Sequence, residues 1–164
     1  MKEFELILCD ILVNFGIDFK KFMNDKDERI KAHKYCYLLN KFYKFPIDGC
    51  FSLYINGPYN RYLTDVLFDI ARNYDKLNKD KVDLNKVNSL TDVMNRISDS
   101  FPSNSKNLVS ELEIFTTFDF ICTNYPSMTP EEQFNMLKRV KKHLFTKTTT
   151  LDNLEQTRHN LRLT

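Results

Sequence analysis

Helical periodicity along most of the chain, a scarcity of chain-breaking residues and a large stock of aromatic side chains predict a mainly α protein. The expected architecture is a compact helical domain of five to seven helices with a minor β strand or hairpin. Only 3 glycines and 5 prolines occur in 164 residues, too few to punctuate the short strands and tight turns of an all-β fold. The 14 phenylalanines and 8 tyrosines, within an apolar share of 42%, can fill a core without disulfides or a structural metal. A single helical domain over residues 1–164 is expected, because no repeat, low-complexity tract or linker divides the chain.

The first helix rests on Phe4, Ile7, Leu8, Ile11, Leu12 and Phe15, an apolar stripe at three- and four-residue spacing that stops at Gly16. Residues 18–27 form a charged connector that Phe19 and Phe22 can pin to the core. Ile30, Ala32, Tyr35, Cys36, Leu39 and Phe42 carry a second helix, with Asp27 as its cap and an end before Pro46. Asp48-Gly49 is a turn signal, Phe51 to Ile55 reads as a short strand, and Gly57-Pro58 is a corner. A winged-helix-like packing of this N-terminal half fits that order.

Leu63, Val66, Leu67, Ile70, Ala71 and Tyr74 form the inward face of a third helix, followed by a polar, lysine-rich loop over residues 75–83. Leu84, Val87, Leu90, Val93, Met94 and Ile97 mark a fourth. Leu108, Leu112, Phe115, Ile121 and Cys122 suggest a fifth, although Thr116-Thr117 and three phenylalanines between 115 and 120 also suit a strand. Thr129-Pro130-Glu131-Glu132 is a helix start, with Thr129 as cap and Pro130 in the first turn. Phe134, Leu137, Val140 and Leu144 are that helix's apolar face. A last amphipathic helix falls within 148–164, expected to dock loosely.

Charge excludes a global cationic field: 24 basic residues against 22 acidic ones leave +2. Cys9, Cys36, Cys50 and Cys122 are widely spaced, with no C-x-x-C pair and no histidine at ligand spacing, so they read as reduced core thiols. The N-terminal apolar stretch is interrupted by Asp10 and Asn14, unlike a secretory leader, and no run approaches the roughly 20 apolar residues of a membrane span. A cytoplasmic protein without membrane partners is expected.

No phosphate-binding glycine loop, dinucleotide fingerprint, zinc-binding H-E-x-x-H or nucleophile elbow occurs. No catalytic residue, metal site or cofactor is therefore assigned. His33 reads as a boundary or surface histidine, and the acidic pairs Asp65 with Asp69 and Glu111 with Glu113 read as solvated helix faces. Lys138, Arg139, Lys141 and Lys142 form a local basic run that could track phosphates, although cations at a helix C-terminus are what the dipole alone favours.

The segment Tyr54 to Leu63 is least like generic packing, with two tyrosines and an arginine gathered after a Gly-Pro corner. Lys31 to Asn40 and Phe51 to Leu63 together resemble the K-L-Q-K-x-x-Y-L-L and Y-G-P-Y-S-x-x-L signatures of YwgA-like proteins. That prokaryotic and phage-associated family is itself similar to Panacea antitoxin domains. Ala32 and His33 stand where the signature has Leu and Gln, Asn56 precedes Gly57, and Asn60 replaces Ser. The missing catalytic motifs and the Gly-Pro-Tyr corner point to a noncatalytic protein-interaction module, with a protein partner held by Tyr54, Gly57, Pro58, Tyr59, Arg61 and Tyr62; the resemblance implies that it is antitoxin-like or a defence-associated adaptor. The alternative expectation is a nucleic-acid-binding transcriptional regulator using the basic helix 138–143.

Overall fold

A computed structural model describes residues 3–79 and 90–162. The expected mainly helical architecture with one minor hairpin is what it shows: α1 (Glu3–Asn14), α2 (Lys26–Tyr43), β1 (Ser52–Tyr54), β2 (Gly57–Tyr59), α3 (Arg61–Arg72), α4 (Tyr74–Leu77), α5 (Leu90–Ser100), α6 (Leu108–Asn124), α7 (Pro130–Lys141) and α8 (Leu151–Arg162). Eight helices are thus described where five to seven were expected. The additional one is α4, a single turn that Asn73 separates from α3. It contributes Leu77 to the core, where the sequence suggested a polar loop. The positions Leu84 and Val87 of the expected fourth helix lie outside the described residues.

Two helices organise the rest. Ala32 to Leu39 of α2 and Leu112 to Asp119 of α6 are each buried at eight consecutive positions, so both helices are covered on every side. A helix apolar on one stripe would lie at the surface, whereas one covered all round must be central. This settles the helix-or-strand ambiguity over 115–120. The hydroxyls of Thr116 and Thr117 donate to the carbonyls of Leu112 and Glu113, each at 2.7 Å, so both β-branched residues satisfy themselves inside a helix.

Local signals set the helix ends. Gly16 takes φ +95° after α1. Asp25, two residues before the expected cap, accepts from the amides of Asp27 and Glu28 at the start of α2. Lys44 closes α2 in the left-handed conformation at φ 56°. Thr129 caps α7 as its sequence predicted, accepting from the Glu132 amide at 3.2 Å.

The C-terminal helix α8, for which loose docking was expected, packs against α6 and its neighbours. Leu154 and Leu161 are buried, and Arg158 Nε donates at 2.9 Å to Asp119 Oδ1 in the middle of α6. The other oxygen, Oδ2, accepts from the Tyr37 hydroxyl of α2 at 2.6 Å. One fully buried carboxylate therefore ties α2, α6 and α8 together. Burial raises the Tyr37 phenol well above its usual range, and the neighbouring Asp119 carboxylate adds to that.

Removing one partner of a buried ion pair leaves the other charge uncompensated. Asp119→Ala is expected to cost about 3 kcal/mol in urea denaturation, and Arg158→Ala less because that side chain reaches solvent. Equal costs for the two substitutions would contradict the linking role given to Asp119.

Candidate functional site

The chain leaves α2 at Lys44 and returns as the hairpin β1–β2, with Ser52 opposite Tyr59, Leu53 opposite Pro58 and Tyr54 opposite Gly57. The corner falls at Ile55-Asn56, two residues before the Gly-Pro pair that the sequence marked as the break. Gly57 and Pro58 instead form the start of β2 and are buried. Gly57 has φ +94°, and a Cβ there would lie 2.9 Å from Thr117 Oγ1 and 3.3 Å from Lys34 Cε. Glycine is needed both for the dihedral and for the close approach of β2 to α6 and α2.

Beneath the hairpin lie two ammonium groups and one carboxylate. Lys34 Nζ donates to the Pro58 carbonyl at 2.7 Å. Lys141 Nζ, from the end of α7, donates to the Ile55 carbonyl and pairs with Glu113 Oε2 at 3.1 Å. The two carbonyls flank the turn, so the hairpin is clamped from below by cations of two different helices. Burial pushes the Lys34 amine down to about 7; Glu113 opposes that shift and Lys141 adds to it.

The base of α3 is knitted to the same place by Asn60. Its amide donates to His33 Nε2 at 2.8 Å, its side-chain oxygen accepts from the Leu63 amide at 3.1 Å, and its Nδ2 donates to the Asp48 carbonyl at 2.8 Å. Acceptance at Nε2 puts the His33 proton on Nδ1 and requires a neutral ring. Burial lowers the His33 pKa to about 3, with the adjacent Lys34 charge as the lesser cause. His33 is therefore an interior residue, not the boundary or surface histidine its flanks suggested. Its ring stacks on Tyr59 at 5.0 Å, and Tyr59 meets Tyr54 at 5.4 Å.

The hairpin surface is open. Tyr54 is 63% exposed, Ile55 79% and Tyr62 54%. Tyr54, Tyr59 and Arg61 line one shallow cleft with Lys34, Asn56 and Gly57, whereas Tyr62 lies outside it and Pro58 packs inward. Of the six expected anchors, Tyr54, Tyr59 and Arg61 are thus brought together, and Gly57 and Pro58 serve as internal supports. Ile55, the most exposed large apolar side chain among the described residues, was not singled out from the sequence.

The basic run is divided. Lys138, Arg139 and Lys142 are exposed, while Lys141 is buried beneath the hairpin. Val140, expected on the apolar face of α7, points outward instead. Glu113 is likewise interior, Glu111 accepts from Ser105 at 2.9 Å, and Asp69 pairs with Arg72 on the surface at 2.7 Å, leaving Asp65 and Asp69 on the solvated face expected of them. Among the described residues no group of three or more potential metal ligands occurs, and no helix is long and apolar enough to cross a membrane. All four cysteines are free thiols; Cys9 and Cys36 are buried and Cys122 partly so, but Cys50, in the stretch before β1, is exposed where a core position was expected. No protein family, characterised protein or solved structure matches the chain.

Two outcomes test this geometry. Gly57→Ala should destabilise the fold by about 1–3 kcal/mol in chemical denaturation, and adding Thr117→Ala should recover only part of it, because the steric contact goes and the dihedral strain stays. His33 is protonated more readily unfolded than folded, so its contribution is present above pH 6.5, its ordinary value, and is lost as pH falls toward 3. Stability measured between pH 7 and 4 should therefore fall less steeply in His33→Gln than in the wild-type chain; parallel curves would contradict the neutral-ring role.

Proposed function

We propose that this chain is a noncatalytic protein-interaction module that engages its partner through the hairpin tip. The carrying observation is the contrast between an exposed Tyr54-Ile55 tip and a backbone clamped beneath it by Lys34 and Lys141. Large apolar and aromatic side chains on a held scaffold can bury area on binding while losing little backbone freedom. Arg61, in the same cleft as Tyr54 and Tyr59, adds a cation able to pair with a carboxylate or carbonyl of the partner. The resemblance of this segment to YwgA-like proteins supports an antitoxin-like or defence-associated adaptor.

The alternative, a nucleic-acid-binding regulator, draws on the α7 run. That surface retains Lys138, Arg139 and Lys142, with the Lys138 ammonium 4.9 Å from the centre of the Phe134 ring. The engagement of Lys141 with Glu113 and Ile55 removes one of its four cations, which weighs toward the first reading.

Affinity capture from the host at low and high salt separates the two. Tyr54→Ser with Ile55→Ser should abolish retention of a stoichiometric protein partner at high salt while leaving the melting temperature unchanged, and Lys138→Ala with Arg139→Ala should leave capture intact. Unchanged capture by the tip variant, or captured nucleic acid lost steeply as salt rises, would overturn the proposal.

A further inference from the structure

A second cleft, of about 330 Å³, opens between α2, α3 and the inner side of the hairpin, a size at the lower end of small-molecule sites. Its cationic lining comes from α2, which contributes Lys26, Arg29 and Lys34. Its aromatic lining comes from Phe22, Tyr59 and Phe68, and no carboxylate is among the lining residues. Glu113 acts on Lys34 from outside this lining, and an anion entering the cleft meets cations and no lining carboxylate.

Two of these cations are also held in place. Arg29 Nη1 donates to the carbonyls of Phe22 and Met23 at 3.0 and 3.1 Å, which fixes the guanidinium. Lys34 is 2% exposed, and among the described residues its one hydrogen-bond acceptor is the Pro58 carbonyl. A neutral amine carries two donors and an ammonium three, so in either form Lys34 keeps donor capacity for a ligand oxygen beyond the Pro58 carbonyl.

We propose that this cleft binds a small organic anion with a planar aromatic body, of mononucleotide size. Its phosphate or carboxylate is taken by Lys34, Arg29 and Lys26, and its ring lies against Phe22, Phe68 and Tyr59. Tyr59 also lines the tip cleft, so the ligand would touch the inner side of the element that presents Tyr54 and Ile55.

Isothermal titration of the whole chain at fixed ionic strength with adenosine monophosphate, ribose 5-phosphate, adenosine and inorganic phosphate tests this. The monophosphate is expected to bind saturably, roughly tenfold more tightly than any of the other three, since each comparator lacks the anion or the ring. Lys34→Met should weaken it by a similar factor. If that variant does not fold, Lys26→Gln with Arg29→Gln decides in its place, with the same loss expected. Absence of saturable binding, a comparator matching the monophosphate, or a folded cation variant with unchanged affinity would each overturn the proposal.

Discussion

The desolvation of α2 and α6 governs the structure. Both helices are covered on every side over eight residues, yet between them they carry His33, Lys34, Glu113, Thr116, Thr117 and Asp119. A polar group taken out of water costs free energy unless it is hydrogen-bonded, and a charge costs more unless it is also paired. The two threonines satisfy themselves within α6. The other four cannot, and each reaches out to a different peripheral element: His33 to Asn60 at the start of α3, Lys34 to β2, Glu113 to the end of α7, and Asp119 to α8. The outer elements are thus positioned by the needs of the inner helices as well as by apolar packing.

The same constraint explains why so small a sheet can hold a defined shape. An isolated two-stranded hairpin is at best marginally stable in water. Here Ile55 and Pro58 carbonyls accept from buried ammonium groups, Gly57 lies against Thr117, and Asn60 closes the far end through three hydrogen bonds. Side chains that would otherwise cover a hairpin are therefore free to face solvent, which is the arrangement at Tyr54 and Ile55. Preorganisation of this kind lowers the ordering cost of association. It also places Lys34 and Tyr59 between two clefts, one at the tip and one against α2 and α3.

Helix α7 shows why part of the site was readable and part was not. Thr129-Pro130 is a local signal that acts through the chain's own amides, and the structure uses it as the sequence implied. The basic run behind it looked uniform, but Phe134, Leu137, Lys141 and Leu144 recur at three- and four-residue spacing, the period of an inward face. That spacing could have identified Lys141 as interior and Val140 as exposed. It was outweighed by hydropathy, which places a lysine outside unless a carboxylate and a carbonyl await it. Those partners, Glu113 and Ile55, are 28 and 86 positions away in sequence, too far for any local pattern to reveal.

By itself the sequence determined the helical class, most helix positions, the aromatic core and the presence of a strand or hairpin after residue 50, because these follow from backbone sterics, capping and the 3.6-residue period acting within a few residues. Tertiary structure alone decided which charged residues lie inside. It made His33 a neutral acceptor, joined Lys34, Glu113 and Lys141 under one turn, and bound α8 through Asp119. The physical reason is that burying a charge is tolerated only when a partner arrives from elsewhere in the fold, and that pairing exists only once distant segments have come together.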